Sequence, residues 1–431
     1  MHKKHYSMRF ASQTLLLTLV MLNLGADASA ASLNDFVGQI VSKHPRTAAA
    51  VEAISASESL VDAAKGAWLP QVSGAGQVGS NRSTISGGSN SGIRPGLSAS
   101  QLVYDGGKAD NNIKGREQDT LATVAQRDEV VQTLTARVTE AYLEWHRQNR
   151  LLALADEQLK ALDRFDRMVT EIASFDKGRG SDRRLVTARI VQILNARDSR
   201  ALSTRDAVMQ IQQICACNLV PAVAPPQFAL LMPEKAPTEA GRELLRAHPS
   251  VIGALARRDS TVADADAAAA WWKPTLEFQL SSQTEQDYAG KTKYFGLNSA
   301  MLNVRANVFD GNVGAAKEKS IRARARAAEA TLDATVTELE AEANRHWTLI
   351  SERKLRVASL KNLVEETDGA FDVVFEQFKL GRRSVIELLS YENERFAARS
   401  QVISEEMDIE VSRVRWLNST GKLTEKLGVR G

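Results

Sequence analysis

The sequence predicts a mainly α-helical chain, written twice, whose long coiled-coil helices carry four β-strands suited to a membrane β-barrel. Three observations predict it. Landmarks recur in the same order at a nearly constant offset. Apolar residues in the long helical runs fall seven apart. Two short stretches alternate strictly between apolar and polar residues.

The repeat sets the frame. His44-Pro45 and Trp68-Leu69-Pro70 match His248-Pro249 and Trp272-Lys273-Pro274 at an offset of 204. Tyr104-Asp105-Gly106 matches Phe309-Asp310-Gly311 at 205, and Phe175-x-x-Gly178-x-x-Ser181 matches Phe378-x-x-Gly381-x-x-Ser384 at 203. The units are then residues 31–219 and 239–423, joined by a Pro-rich linker at 220–238 and followed by a tail at 424–431. Residues 1–30 read as a signal peptide: Lys3, Lys4 and Arg9, an apolar run over 15–24, and the cleavage signal Ala28-Ser29-Ala30. No cysteine follows the run to take a lipid anchor.

Each half opens with a helix of 24 residues. Pro45 or Pro249 suits its first turn, and Pro70 or Pro274 stops it. A hairpin follows, with strands at about 71–82 and 96–104 in one half and 275–286 and 294–309 in the other. Next comes a helical run over 107–177 or 312–380, then a glycine break and a returning helix of about 35 residues. Val131, Val138, Trp145, Leu152 and Leu159 mark the seven-residue period of the first run. Val336, Ala343, Ile350, Val357, Val364, Phe371 and Phe378 mark that of the second. Such a period implies left-handed supercoiling of helices roughly 105 Å long.

The strands need a different explanation. Leu276, Phe278 and Leu280 alternate with Glu277, Gln279 and Ser281; Leu302, Val304, Ala306 and Val308 alternate with Asn303, Arg305 and Asn307. A soluble sheet would rest its apolar face on a core, but the long helices are committed to one another. A transmembrane barrel strand predicts this pattern, with aromatics at the water–lipid interface. Trp68, Trp271 and Trp272 precede the upward strands, and Tyr104 and Phe309 end the downward ones. A tryptophan can also fill a helix–sheet corner; its recurrence at the strand ends favours the interface. Four strands cannot close a barrel, so two copies would give eight strands and three would give twelve.

The signal peptide, the duplicated plan, the Leu69-Pro70-Gln71 and Lys273-Pro274-Thr275 joins, the Phe-x-x-Gly-x-x-Ser turns and the ending RWLNSTGKL (415–423) together resemble the TolC family of outer-membrane efflux proteins. The resemblance covers essentially the whole mature chain. It implies a homotrimer in which one twelve-stranded outer-membrane barrel continues into an α-helical tunnel across the periplasm. It also implies a periplasmic adaptor and an inner-membrane ABC exporter or proton-driven pump as partners. The helix tips at Gly178, Ser181, Gly381 and Ser384 would then meet the adaptor. Arg383 and Glu387 fall where the family places gate residues. The first tip departs from the family pattern, with Arg184 at a commonly acidic position and Asp182 two residues earlier.

Other classes fit poorly. There is no Gly-rich phosphate loop, HExxH or GxSxG, so neither a catalytic site nor a cofactor is expected. The formal charge of +3 falls to +1 without Lys3, Lys4, Arg9 and Asp27, which argues against nucleic acid. No later run offers 18 uncharged apolar residues for a spanning helix. Cys215 and Cys217 lack a further ligand for a metal and read as a local disulfide in preference to two free thiols. The competing class is an exported, non-pore structural coiled coil, which explains the heptads but not the strands. Within the channel reading, type I protein secretion is favoured over small-molecule or drug efflux.

Overall fold

The computed structural model describes residues 33–82, 89–176, 180–215, 245–286 and 294–429. The leader, the linker at 220–238, Gly178 and Cys217 lie outside the described residues. Helix α1 (Leu33–Lys43) precedes α2 (Pro45–Lys65). Strands β1 (Gln71–Arg82) and β2 (Ser89–Tyr104) lead into α3 (Lys108–Phe175), and α4 (Gly180–Cys215) returns. The second half repeats this as α5 (Pro249–Ala269), β3 (Thr275–Gln286), β4 (Tyr294–Arg305), α6 (Val313–Lys379) and α7 (Val385–Ser419). A short α8 (Leu423–Lys426) closes the chain, with Leu427 and Val429 buried after it.

Local chemistry explains the helix boundaries. In both halves a His-Pro pair starts the helix: His44 Nδ1 accepts the Arg46 N–H at 3.0 Å, and His248 Nδ1 accepts that of Ser250 at 3.1 Å. The expected 24-residue helices divide into 21 α-helical residues and one 3-10 turn, Gly66–Trp68 or Ala270–Trp272, which aims the chain into the strand. The carboxylates of Asp105 and Asp310 cap the long helices. Asp105 accepts the Gly107, Lys108 and Ala109 N–H groups at 3.0, 3.0 and 2.6 Å, and Asp310 accepts that of Gly314 at 2.7 Å. Three orphan donors of a helix start are thereby satisfied by one side chain.

At 68 and 67 residues, α3 and α6 are each about 100 Å long. The predicted heptads line their buried seams: Val131, Val138, Ala343, Ile350, Val357, Phe371 and Phe378 are all buried. Two separate cores result. One gathers Tyr142, Leu143, Trp416 and Leu417 with α1; the other, nearer the tips, gathers Leu162, Phe165, Phe371, Phe378 and Leu388. Between them the acidic run of α7 ties both long helices. Asp408 reaches Arg147 of α3 and Arg353 of α6, each at 2.5 Å, and Glu406 reaches Arg150 and Lys361, each at 3.0 Å. No described helix is long and apolar enough to cross a membrane.

The four strands form one antiparallel sheet in the order β1-β2-β3-β4. Two strand limits differ from expectation. β2 starts at Ser89, and β4 ends at Arg305, so Val308 and Phe309 lie in the connection to α6. Alternation in sequence continued past the last paired residue, and only pairing defines a strand. Cys215 is disulfide-bonded, as the oxidising compartment favoured.

Candidate channel-forming surfaces

The sheet sorts its side chains by chemistry. Register places Val72, Leu97, Ala99, Phe278, Leu280, Leu302 and Val304 on one face. The opposite face carries a row of four serines, Ser73, Ser98, Ser281 and Ser299, in consecutive register across all four strands. Ser73 and Ser98 hydroxyls meet at 2.8 Å and those of Ser281 and Ser299 at 2.6 Å, while Asn303 Nδ2 donates to Gln279 Oε1 at 2.9 Å. The apolar face is exposed: Val72 retains 74% and Val304 64% of its accessible surface. No described helix covers it, and an exposed apolar face of this extent marks a surface for lipid or another chain.

A bulge adjusts the end of β2. Leu102 pairs with Glu277 and Tyr104 with Leu276, leaving Val103 as the extra residue. Tyr104 is thereby moved onto the apolar face, beside Leu276, at the level of the helix joins.

The aromatic residues at those joins have different surroundings. Trp271 lies flat against Gly314, where an added Cβ would stand 2.4 Å from the indole. It fills the corner where the end of α5 meets the start of α6. Trp68 donates Nε1–H to Asp110 at 3.2 Å. Trp272 and Phe309 are exposed. Lys273 lies across Gly106, with Nζ donating to its carbonyl at 2.9 Å; Gly106 has φ +74°, and a side chain there would strike the lysine stem.

The helical faces are unequal in a way the repeat explains. Helix α5 packs between α3 and α6, whereas its counterpart α2 packs chiefly along α3. At the α3–α5 seam Gly115, Ala122 and Ala125 approach Gly253, Ser260 and Ala263 closely, and all six are buried. The equivalent positions in the other copies are Ser320, Ala327 and Ala330 on α6 and Ala49, Ala56 and Ser59 on α2. All six of these are small and all are exposed. The strand edges match this: β1, reached from α2, and β4, leading to α6, each have one unpaired edge.

The second tip is tightly built. Gly381 has φ +73°; its N–H bonds the Phe378 carbonyl and the Arg382 N–H bonds that of Gln377, each at 2.9 Å, a Schellman stop. Ser384 then caps α7. Glu387 N–H donates to its hydroxyl at 3.3 Å, and the Glu387 carboxylate accepts the Ser384 N–H at 2.9 Å, closing a capping box. Arg383 adds an ion pair to Glu387 at 2.7 Å and a bond to Gln377 at 2.8 Å. These bonds, led by that from the Ser384 backbone, hold the Glu387 pKa down to about 2. The Ser-x-x-Glu spacing is the sequence signature of this cap. At the first tip α4 starts at Gly180, so Ser181 lies inside the helix and does not repeat the role of Ser384.

The family model for outer membrane efflux proteins matches residues 37–214 and 240–422. The chain belongs to the outer membrane efflux protein family. It is similar to the outer membrane efflux protein BepC of Brucella suis biovar 1, with 22% identity over 375 residues, covering 85% of this chain and 80% of that one. Among solved structures, CusC superposes with a TM-score of 0.81 at 15% identity, covering 91% of this chain and 93% of that one. The open-state MtrE outer membrane channel of Neisseria gonorrhoeae gives 0.78 at 17%, covering 91% and 89%.

The two matched segments of the efflux family coincide with the two copies of the helix–hairpin–helix plan, which accounts for the mainly α fold, the four strands and the internal duplication. A rod without strands, the competing class, does not fit a member of this family. Of the residues carried over by resemblance, Arg383 and Glu387 are brought together at the second tip. Their bonds within this chain are those of a helix cap.

Proposed function

We propose that three copies of this efflux-family chain form a passive outer-membrane conduit: a twelve-stranded barrel continued by a helical tunnel in the periplasm. The observation that carries the reading is the pair of open strand edges, β1 and β4, on a sheet whose exposed face is apolar. Unpaired edges in hydrocarbon are prohibitively costly, so copies must join edge to edge. Two copies would give eight strands, whose interior side chains fill the lumen. A conduit needs more, and three copies give twelve. The bare small-residue faces of α6 and α2 support the same joint, since their repeat equivalents are already packed together within one chain.

In this reading the apolar face meets lipid and the serine face lines the lumen. Transport energy comes from an inner-membrane pump, an ABC exporter or a proton-driven one, joined through a periplasmic adaptor at the helix tips. The Brucella relative is named an efflux protein, which supports efflux over secretion, and small molecules are the cargo class we propose. Type I protein secretion is the second reading. Deleting the gene and measuring both intracellular drug accumulation and the secreted proteome separates them: sensitisation with an unchanged secretome supports efflux, the converse supports secretion. The conduit itself is tested by purification from outer membranes. A heat-sensitive trimer that conducts in a planar bilayer supports it, and a non-conducting monomer rejects it.

A further inference from the structure

The stretch of α6 just below the sheet reads KEKSIRARAR, residues 317–326. It holds Lys317, Lys319, Arg322, Arg324 and Arg326 against the single acid Glu318, and all five cations are exposed. Arg322 pairs with Glu318 at 2.8 Å. Among the described residues the other four have no ion-pair partner. The matching stretch of α3, residues 112–121, is balanced: Lys114 and Arg116 against Glu117 and Asp119. The excess is confined to one copy of the repeat, so it does not belong to the shared architecture.

Immediately above it lies an exposed apolar group. Val308 is 95% exposed, Phe309 80%, Val313 66% and Trp272 57%. Apolar and aromatic side chains followed by a run of cations mark a chain at the boundary between hydrocarbon and phosphate headgroups. Reach grades the cations. Lys317 and Lys319 lie about 6 and 9 Å along the helix from Val313, within reach of headgroups, whereas Arg324 and Arg326, about 17 and 20 Å away, add a weaker, longer-range attraction. Side chains of a helix tilt toward its N-terminus, which here is the membrane end, and long cationic stems extend farther.

Helical spacing divides the four free cations. Lys317 and Arg324 are seven apart and share one face, as do Lys319 and Arg326. The two faces flank the bare strip of Ser320, Ala327 and Ala330. When a neighbouring copy closes that strip, one cationic stripe turns inward and the other outward.

We propose that the outward stripe is a docking surface for anionic phospholipid headgroups in the membrane leaflet facing the helical body. The proposal rests on the trimeric-barrel reading and adds a lipid requirement to it.

The test uses the purified full-length trimer in detergent, titrated with phosphatidylglycerol or phosphatidylcholine while thermal melting is followed; a ligand that binds the folded form raises the midpoint. The wild type should be stabilised by phosphatidylglycerol and not by phosphatidylcholine. Of two variants, Lys317→Gln/Arg324→Gln and Lys319→Gln/Arg326→Gln, one should lose affinity for phosphatidylglycerol by about 5-fold or more, the equivalent of about 1 kcal/mol for the lysine near the headgroups with a smaller addition from the arginine. The other should keep it, and both should remain conducting trimers. Equal stabilisation by the two lipids, loss in neither variant or loss in both overturns the proposal. So does dissociation of a variant trimer, which would make the stripe part of the subunit contact. A wild type that is neither trimeric nor conducting rejects the conduit reading instead.

Discussion

Ser384 and Glu387 cap each other: the serine N–H and hydroxyl both donate to the Glu387 carboxylate at 2.9 Å, and the Glu387 N–H donates to the serine hydroxyl. The resemblance suggests a gate role for this carboxylate, but its bonds within this chain hold the first turn of α7. Ser384→Ala should therefore loosen that turn by about 1 kcal/mol, read as faster amide exchange over 385–388. Glu387→Gln should also speed that exchange. If Glu387 serves instead as a pore charge, the same variant will change single-channel cation selectivity and leave exchange at the tip untouched.

The cap also sets a pH window. A carboxylate with a depressed pKa stabilises the fold above its unfolded value and loses that contribution as pH falls through the folded value. With Glu387 moved from 4.5 to about 2, protection of the α7 start should persist at neutral pH and fade between about pH 4 and 2. Fading that begins near pH 6 would contradict the assignment.

Trp271 against Gly314 makes a second prediction. Gly314→Ala inserts a methyl 2.4 Å from the indole and should cost about 1–3 kcal/mol in thermal unfolding. Gly369→Ala, within α6 with nothing within 4 Å, should instead be neutral or stabilising by up to about 1 kcal/mol.

Burial lowers the pKa of His248, whose Nδ1 accepts the Ser250 N–H and whose Nε2 faces the Asn418 carbonyl at 3.2 Å. A histidine held neutral contributes stability above its unfolded pKa near 6.5, and this is lost as pH falls toward the lower folded value. Thermal stability should drop between pH 7 and 5. His248→Asn, which can still cap α5, should flatten part of that slope. His146 and His346, also lowered by burial, will keep the remainder.

The bare strip on α6 separates folding from assembly. Ala122→Glu, at a position 5% exposed, should unfold the chain. Ala327→Glu, its exposed repeat equivalent, should leave helicity intact by circular dichroism and abolish the trimer on an unheated gel.

Much of the fold was legible because it rests on local rules. The His-Pro starts, the proline stops, the heptad seams and the strand alternation each depend on neighbours a few residues away. What was not legible depends on distance. Asp408 joins Arg147 and Arg353 from helices far apart in sequence, and no spacing announces that triad. Trp271 and Trp272 are adjacent, yet only one fills a corner, because the difference lies in Gly314 across the join. Alternation runs on to Val308 although pairing ends at Arg305, so the sequence pattern alone overextends β4 to Phe309. The capping box, by contrast, is local, and Ser384-x-x-Glu387 carries it in the sequence.

The central claim is that one sheet face meets lipid and the other water. Single cysteines placed at 279, 280, 281 and 302 and spin-labelled in reconstituted vesicles test it directly, since native Cys215 is already disulfide-bonded. Labels at 280 and 302 should relax with oxygen dissolved in the lipid, and those at 279 and 281 with a water-soluble nickel chelate. Equal access of all four to the chelate would contradict the account.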